Sequence, residues 1–262
     1  MKDAQRRKEK LWSMVEKQMT ELGTEQVEIS AHLNWPPLVQ GILVKRYKRF
    51  MADVKLRNGH VVTAHCANSG RMLTCSEPGR PVYLSRQNNP KRKLKYTWEI
   101  IDMPGSLVGV NTMVPNRLVR AAIEAGNVKP LRGYSSVRSE VKYGKNSRID
   151  LLLEEGERRC FVEVKNCTLV NAGIACFPDA VTTRGFKHLQ ELQEQVRIGD
   201  RSVMFYLVQR TDADRFRPAD HIDESYGTEL RKAIRNGVEM MVYDVSLSLK
   251  SIALNQSLPF EL

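Results

Sequence analysis

The chain has 262 residues, 42% hydrophobic and 27% charged, enough apolar material for one large or two ordinary domains and too much for a disordered chain. No run approaches the roughly eighteen apolar residues of a membrane span, and the opening Met-Lys-Asp-Ala-Gln-Arg-Arg-Lys lacks a signal peptide's apolar stretch, so a cytoplasmic location is expected. The net charge of +11 is unevenly spread: residues 35–100 hold thirteen Lys/Arg against three Asp/Glu, while 1–34 balance and 101–262 nearly do.

Residues 1–22 place Leu11, Val15, Met19 and Leu22 on one face, the spacing of an amphipathic helix that Gly23 ends. Such a helix would pack on its own domain or join two copies into a homo-oligomer. Residues 39–47, 50–57, 60–65, 81–86 and 94–101 read as short strands, and Asn58-Gly59 is a strong hairpin signal between the second and third. Five strands with no long helix between them predict a small barrel of the oligonucleotide-binding type over 35–101. Its charge suits a polyanion such as DNA or RNA, because each phosphate contact releases condensed counterions. Two segments interleave cations with aromatics: Lys45, Arg46, Lys48 and Arg49 beside Tyr47 and Phe50, and Lys91, Arg92, Lys93 and Lys95 beside Tyr96 and Trp98. The cations are candidates for phosphate contact, and the aromatics either stack on bases or fill the barrel.

Pro104-Gly105 and Pro115 mark 102–115 as a linker, so that an α/β domain is expected over 102–262 after the barrel and after an extension over 1–34. A helix at about 116–125 has Asn116 as its cap and Gly126 as its stop. A strand at 135–143 and a turn at Gly144-Lys145-Asn146 lead to residues 148–165, two apolar runs that flank a charged break and read as a hairpin. With Gly156-Glu157 as a two-residue loop, Glu155 opposes Arg158 and Asp150 falls opposite Glu163. Residues two apart share a strand face, so Glu163 and Lys165 project together while Val162 and Val164 pack on the other side. Two carboxylates and a lysine then converge. Oxygen ligands suit magnesium or manganese, which polarise a phosphoryl oxygen, and the lysine would position water or offset charge on phosphorus. Alone, Glu-x-Lys is as readily a plain ion pair on a strand; Asp150 and the register make it a candidate catalytic and metal site.

After Lys165 the chain passes irregularly through Phe177-Pro178-Asp179 to a helix at 183–198. Phe186, Leu189, Leu192 and Val196 form its expected buried stripe, with Arg184, Lys187, His188 and Glu191 on its other sides. Residues 202–208, apolar on both faces, read as a central strand. A helix at 224–236 and strands near 238–245 and 248–254 complete the chain. The five cysteines form no Cys-x-x-Cys pair and are read as reduced thiols.

The sequence resembles the sugar fermentation stimulation protein (SfsA) family. The resemblance rests on Lys-Arg-Tyr-Lys-Arg-Phe at 45–50, His-Cys-Ala-Asn-Ser-Gly-Arg-Met at 65–72, Lys-Arg-Lys-Leu-Lys-Tyr-Thr-Trp at 91–98 and Gly-Val-Asn-Thr at 109–112. It continues through Ser-Arg-Ile-Asp at 147–150, Val-Glu-Val-Lys-Asn at 162–166, Phe-Pro-Asp-Ala-Val-Thr at 177–182, and Arg184-Gly185 with Lys187-His188-Leu189. It implies an oligonucleotide-binding-type barrel joined to a nuclease-like domain of the PD-(D/E)XK class, DNA binding, and a role in regulating sugar, notably maltose, metabolism. In that class the metal-site acids and lysine map onto Asp150, Glu163 and Lys165, with Glu140 or Glu124 as a further carboxylate. Pro178-Asp179 spells the class letters but follows the Glu-x-Lys strand, so Asp179 is not the motif acid. Three functions compete: a metal-dependent nuclease, a DNA-binding regulator on a nuclease scaffold, and a sugar-responsive module. The basic barrel favours the first two.

Overall fold

The computed structural model describes residues 31–144 and 147–262, and the amphipathic segment 1–22 lies outside them. The strands are β1 (His32–Asn34), β2 (Leu38–Tyr47), β3 (Met51–Leu56), β4 (Val61–His65), β5 (Pro81–Arg86), β6 (Tyr96–Met103) and β7 (Ser106–Gly109), then β8 (Ser136–Tyr143), β9 (Ser147–Glu155) and β10 (Arg158–Cys167). They continue as β11 (Leu169–Asn171), β12 (Ile174–Phe177), β13 (Arg201–Val208), β14 (Arg215–Pro218), β15 (Glu239–Leu247) and β16 (Ser251–Ser257). The helices are α1 (Val114–Glu124), α2 (Thr183–Arg197) and α3 (Asp220–Arg235). Among the described residues no helix is long and apolar enough to cross a membrane.

The first unit is a barrel: β4-β3-β2-β5-β6-β7 form one sheet, and a parallel pairing of β4 with β6 closes it. Trp98 is fully buried in its core with Leu43, Val54, Leu84 and Ile101, and its indole N–H donates to the Ile100 carbonyl at 3.0 Å. Trp98 is therefore wall filling and no stacking platform, whereas Phe50, 45% exposed, is free on the surface. The barrel outruns its expected end at 101. Pro104-Gly105 makes a tight turn, with Gly105 at φ +82°, that returns β7 antiparallel onto β6.

The second unit is a mixed seven-stranded sheet in the order β1-β16-β15-β13-β10-β9-β8, with β10, β13 and β15 parallel at its centre. Helix α1 covers one face, where Val162, Val164, Val203, Phe205 and Leu207 meet Leu118 and Ala122. Helices α2 and α3 cover the other, where Phe161, Met204 and Tyr206 meet Leu189, Leu192, Tyr226 and Leu230. Two covered faces explain why β13 is an unbroken run of Val, Met, Phe, Tyr and Leu over 203–208, as suits a buried parallel strand. Two features differ from the sequence reading. His32–Asn34, assigned to the extension, pair antiparallel with Ser251–Ala253 in this sheet. The passage after Lys165 is a second small sheet, β11-β12-β14, whose hairpin turns at Ala172-Gly173 with φ of +48° and +79°. Asn116 also corrects the reading: the helix begins earlier, at Val114, with Pro115 in its first turn and Met113 at the cap position, so Asn116 lies inside the helix.

Hydrogen bonds tie the two units together. Arg210 is buried, chelates Asp212 at 2.7 and 2.8 Å, and donates to the Thr74 carbonyl, the Thr74 hydroxyl and the Thr168 carbonyl at 2.9–3.1 Å. Asp179 Oδ2 accepts the Met72 N–H at 3.0 Å, and its carboxylate fills the space that a Cβ on Gly70 would need. Replacing Arg210 by Met removes the cation from Asp212 and its donors from the Thr74 carbonyl, and leaves the Thr168 carbonyl with the Thr74 hydroxyl alone. Urea unfolding should show a loss of about 3 kcal/mol or more, against less than about 0.5 kcal/mol for exposed Arg197→Met.

Candidate active site

The site grows from the β9–β10 hairpin. Gly156 takes φ +56°, which allows the tight turn, and the register runs Glu155↔Arg158 to Leu151↔Val162. The pairing stops there, one step short of the expected Asp150↔Glu163 pair. The cause lies in β9: Ile149 packs under α2 and α3 while Leu151 packs under α1, so the strand's alternation breaks at Asp150. Freed from the ladder, Asp150 Oδ2 accepts the Val164 backbone N–H at 2.8 Å, and Oδ1 accepts the Asn116 side-chain amide at 2.7 Å. An acid thus takes the place of a strand partner for one backbone donor.

On β10, Phe161 packs against the α2 side, so Glu163 and Lys165 follow on that face. Glu163 is 2% exposed, and its Oε1 accepts Lys165 Nζ at 2.6 Å and contacts His188 Nδ1. Lys165 Nζ lies 3.4 Å from the same ring nitrogen, and Arg184 Nε donates to His188 Nε2 at 3.3 Å. Glu163 Oε2 is buried and has no partner among the described residues.

The structure brings Asp150, Glu163 and Lys165 to one cleft of about 410 Å³, walled also by Asn116, Asp179 and Arg184 of the second unit. The barrel contributes Arg49 and Asn68–Gly70. Glu140 stands in register opposite Asp150 but at φ +56°, exposed and away from the cleft wall, and Glu124 is occupied by Arg120 at 2.9 Å on the surface of α1. Neither joins the site, and among the described residues no three His, Cys, Asp or Glu side chains cluster as a metal cage. His188 corrects the reading of α2. It is 3% exposed and lies on the buried face, four residues before Leu192 and three after Gly185. That i, i+4 spacing was the available signal for it; nothing in the sequence marked Asn116.

The basic residues divide. Arg46 is spent internally, donating to the carbonyls of Asn68, Gly70 and Arg71 at 2.8–3.2 Å and so shaping the loop that walls the cleft. Lys45 is exposed and 3.9 Å from Asp53, and Lys48 and Arg49 form a left-handed turn that carries Arg49 to the cleft. Lys91, Lys93 and Lys95 are exposed, with Lys95 Nζ on the Pro90 carbonyl at 3.0 Å, while Arg92 lines a separate cavity.

Burial, reinforced by the charge of Glu163, pushes the Asp150 carboxyl up to about 6, against the pull of Lys165. Burial works the same way on Glu163, but Lys165 and His188 outweigh it and hold that carboxyl below its ordinary value. The two acids are thus driven apart. Because Asp150 binds its proton more tightly folded than unfolded, metal-free protein should lose stability as pH rises from about 4 to about 6, by up to about 3 kcal/mol. Glu163 acts in the opposite sense at lower pH. Urea midpoints in EDTA across that window should show a falling component in the wild type that Asp150→Asn abolishes.

The description sugar fermentation stimulation protein RE domain matches residues 113–251, and SfsA N-terminal OB domain matches residues 44–110. The chain is 53% identical over 224 residues to the sugar fermentation stimulation protein homolog of Geotalea daltonii, covering 86% of this chain and 97% of that one. It is 56% identical over 223 residues to the homolog of Geobacter sulfurreducens, covering 85% and 96%. Its fold superposes on the structure described as Pyrococcus furiosus SfsA in complex with Ca2+ with a TM-score of 0.82 at 25% identity, covering 89% of this chain and all of that one. With both units matched in order along the sequence, the chain belongs to the sugar fermentation stimulation protein family.

Proposed function

We propose that the protein binds nucleic acid with little sequence preference and hydrolyses a phosphodiester in the Asp150–Glu163–Lys165 cleft with a divalent cation, magnesium or manganese. The observation that carries this is the orphaned Glu163 Oε2: a carboxylate oxygen buried without a donor beside a second, strained carboxylate is a cation's place. Two carboxylates fit magnesium, which keeps several waters and takes further oxygens from substrate phosphates. Asp150 and Glu163 would hold the ion, which when bound supplies Lewis acidity toward a phosphoryl oxygen. The Ca2+ in the description of the Pyrococcus furiosus protein supports a divalent ion at this fold.

The chain's own groups do the rest. His188 and Lys165 fix one Glu163 oxygen and turn the other toward the cleft. Asn116 and the Val164 N–H orient Asp150. Lys165 Nζ, 14% exposed, is placed to hold a water or offset charge that develops on the phosphoryl oxygens. Arg49 would hold a phosphate at the barrel side, and the exposed lysines at 91–95 would lead the polyanion in. Among the described residues nothing presents a helix to a major groove, which supports low specificity. Five free cysteines accord with a reducing, cytoplasmic setting. The relatives' description supports a link to sugar metabolism.

Magnesium or manganese should raise the melting temperature of wild type by several degrees and leave Asp150→Ala unmoved. Lys165→Ala should keep the shift but lose phosphodiester cleavage by about two orders of magnitude. Metal shift and DNA binding without cleavage in the wild type would establish the alternative, a non-catalytic DNA-binding regulator. Separately, reversing Lys91, Arg92, Lys93 and Lys95 to Glu should remove most affinity and flatten its salt dependence, read by anisotropy between 50 and 200 mM salt.

A further inference from the structure

A second cavity, of about 480 Å³, lies where the end of the barrel meets the start of α1. Arg92 and Arg117 both line it, and neither guanidinium has an ion pair or side-chain hydrogen bond among the described residues. Among the described residues Glu99 is the one carboxylate on its wall, a single negative charge against two guanidiniums. Ser85 donates to its Oε1 at 2.5 Å and Asn111 to its Oε2 at 2.7 Å. Two guanidiniums against one carboxylate leave the wall with a net positive charge, and burial, with the Arg92 charge added, holds His65 on the same wall below its ordinary value. Thr97, 5% exposed, lines the cavity, and its hydroxyl has no partner among the described residues. The Trp35 side chain supplies an aromatic wall, anchored by its indole N–H to the Ser248 carbonyl at 2.9 Å.

We infer that this cavity binds one nucleoside monophosphate unit, with its phosphate on Arg92 and Arg117, its base against Trp35, and Thr97 as a hydrogen-bonding partner. Unneutralised guanidinium pairs match a phosphate, and an aromatic face takes any base. The volume is that of a small-ligand pocket and shuts out a duplex. The position matters as well. One backbone wall separates this cavity from the Asp150 cleft: Ala67, Val114 and Arg117 face the cavity, while Asn68, Pro115 and Asn116 face the cleft. The Thr112 hydroxyl bonds the Ala67 carbonyl within that wall. A single strand seated in the cavity would cross this ridge to put its next phosphates over Asp150 and Glu163. The strand therefore rests on the proposed nucleic-acid function, whereas a free nucleotide would not.

The test uses the full chain in EDTA, so that binding is read without cleavage. Anisotropy follows a labelled single-stranded thymidine 12-mer and a duplex of the same length, and calorimetry follows thymidine 5′-monophosphate. Arg117→Glu, an exposed substitution, should weaken single-strand binding at least tenfold and duplex binding less than threefold. Thr97→Val should weaken single-strand binding about threefold while the melting temperature stays level or rises, because it deletes an unpartnered hydroxyl. If the mononucleotide binds wild type and loses tenfold in Arg117→Glu while the 12-mer is unaffected, the site takes free nucleotide; loss for the 12-mer identifies a strand. The inference is overturned if neither ligand responds to either variant, or if duplex and single strand lose equally in Arg117→Glu. The melting-temperature shift with metal, measured without nucleic acid, reads the Asp150 site separately.

Discussion

A carboxylate in the middle of a packed sheet is unfavourable unless it is fully paired, and Glu163 is paired on one oxygen only. Lys165 and His188 crowd onto Oε1 and leave Oε2 bare. The surroundings follow from that demand. The β10 alternation that buries Phe161 under α2 puts Glu163 against His188, and α2 is positioned by Leu189 and Leu192 in the same core. Arg184 reaches His188 from one turn earlier, so the helix delivers an imidazole to the acid with a guanidinium behind it. An ion pair this deep rarely adds net stability over apolar packing.

The cleft belongs to neither unit alone. The loop that follows β4 enters the wall as Asn68–Gly70, held in shape by Arg46 from below and by Asp179 from the opposite unit. Gly70 is required there by close approach, since any side chain would displace the Asp179 carboxylate. Asp179, read from the sequence as not the motif acid, instead fastens barrel to sheet. These few hydrogen bonds join the barrel's loop to the wall of the Asp150 cleft.

Much of this was legible in the sequence because it is local. A two-residue turn with glycine determines its own register, so the β9–β10 pairing could be derived residue by residue, and Asn58-Gly59 marked the β3–β4 hairpin, whose register is that of a three-residue loop over 57–59. What escaped was non-local or ambiguous. Nothing in His32–Asn34 announces a partner near residue 252. Strands of three and four residues, such as β11 and β12, are too short to show a period. Asn116 looked like a helix cap because caps and carboxylate partners use the same amide. His188 was assigned by polarity to the outer face of α2, although its spacing from Leu192 argued for the inner one. The end of the β9–β10 ladder at Asp150 arises from packing on two opposite faces, which no single strand's pattern reveals.

The pairing of β1 with β16 makes the barrel an excursion within the second unit. The chain contributes an edge strand to the large sheet, leaves through Trp35–Pro37, builds the barrel, and returns to α1. Leu33 and Trp35 pack on the same core as α1, so this first crossing is anchored by burial. Two covalent tethers, one at each end of the barrel, join it to the second unit. Linear dissection fails for the same reason. A fragment that starts after the barrel lacks β1 and uncovers the backbone edge of β16, an edge open to strand exchange between copies.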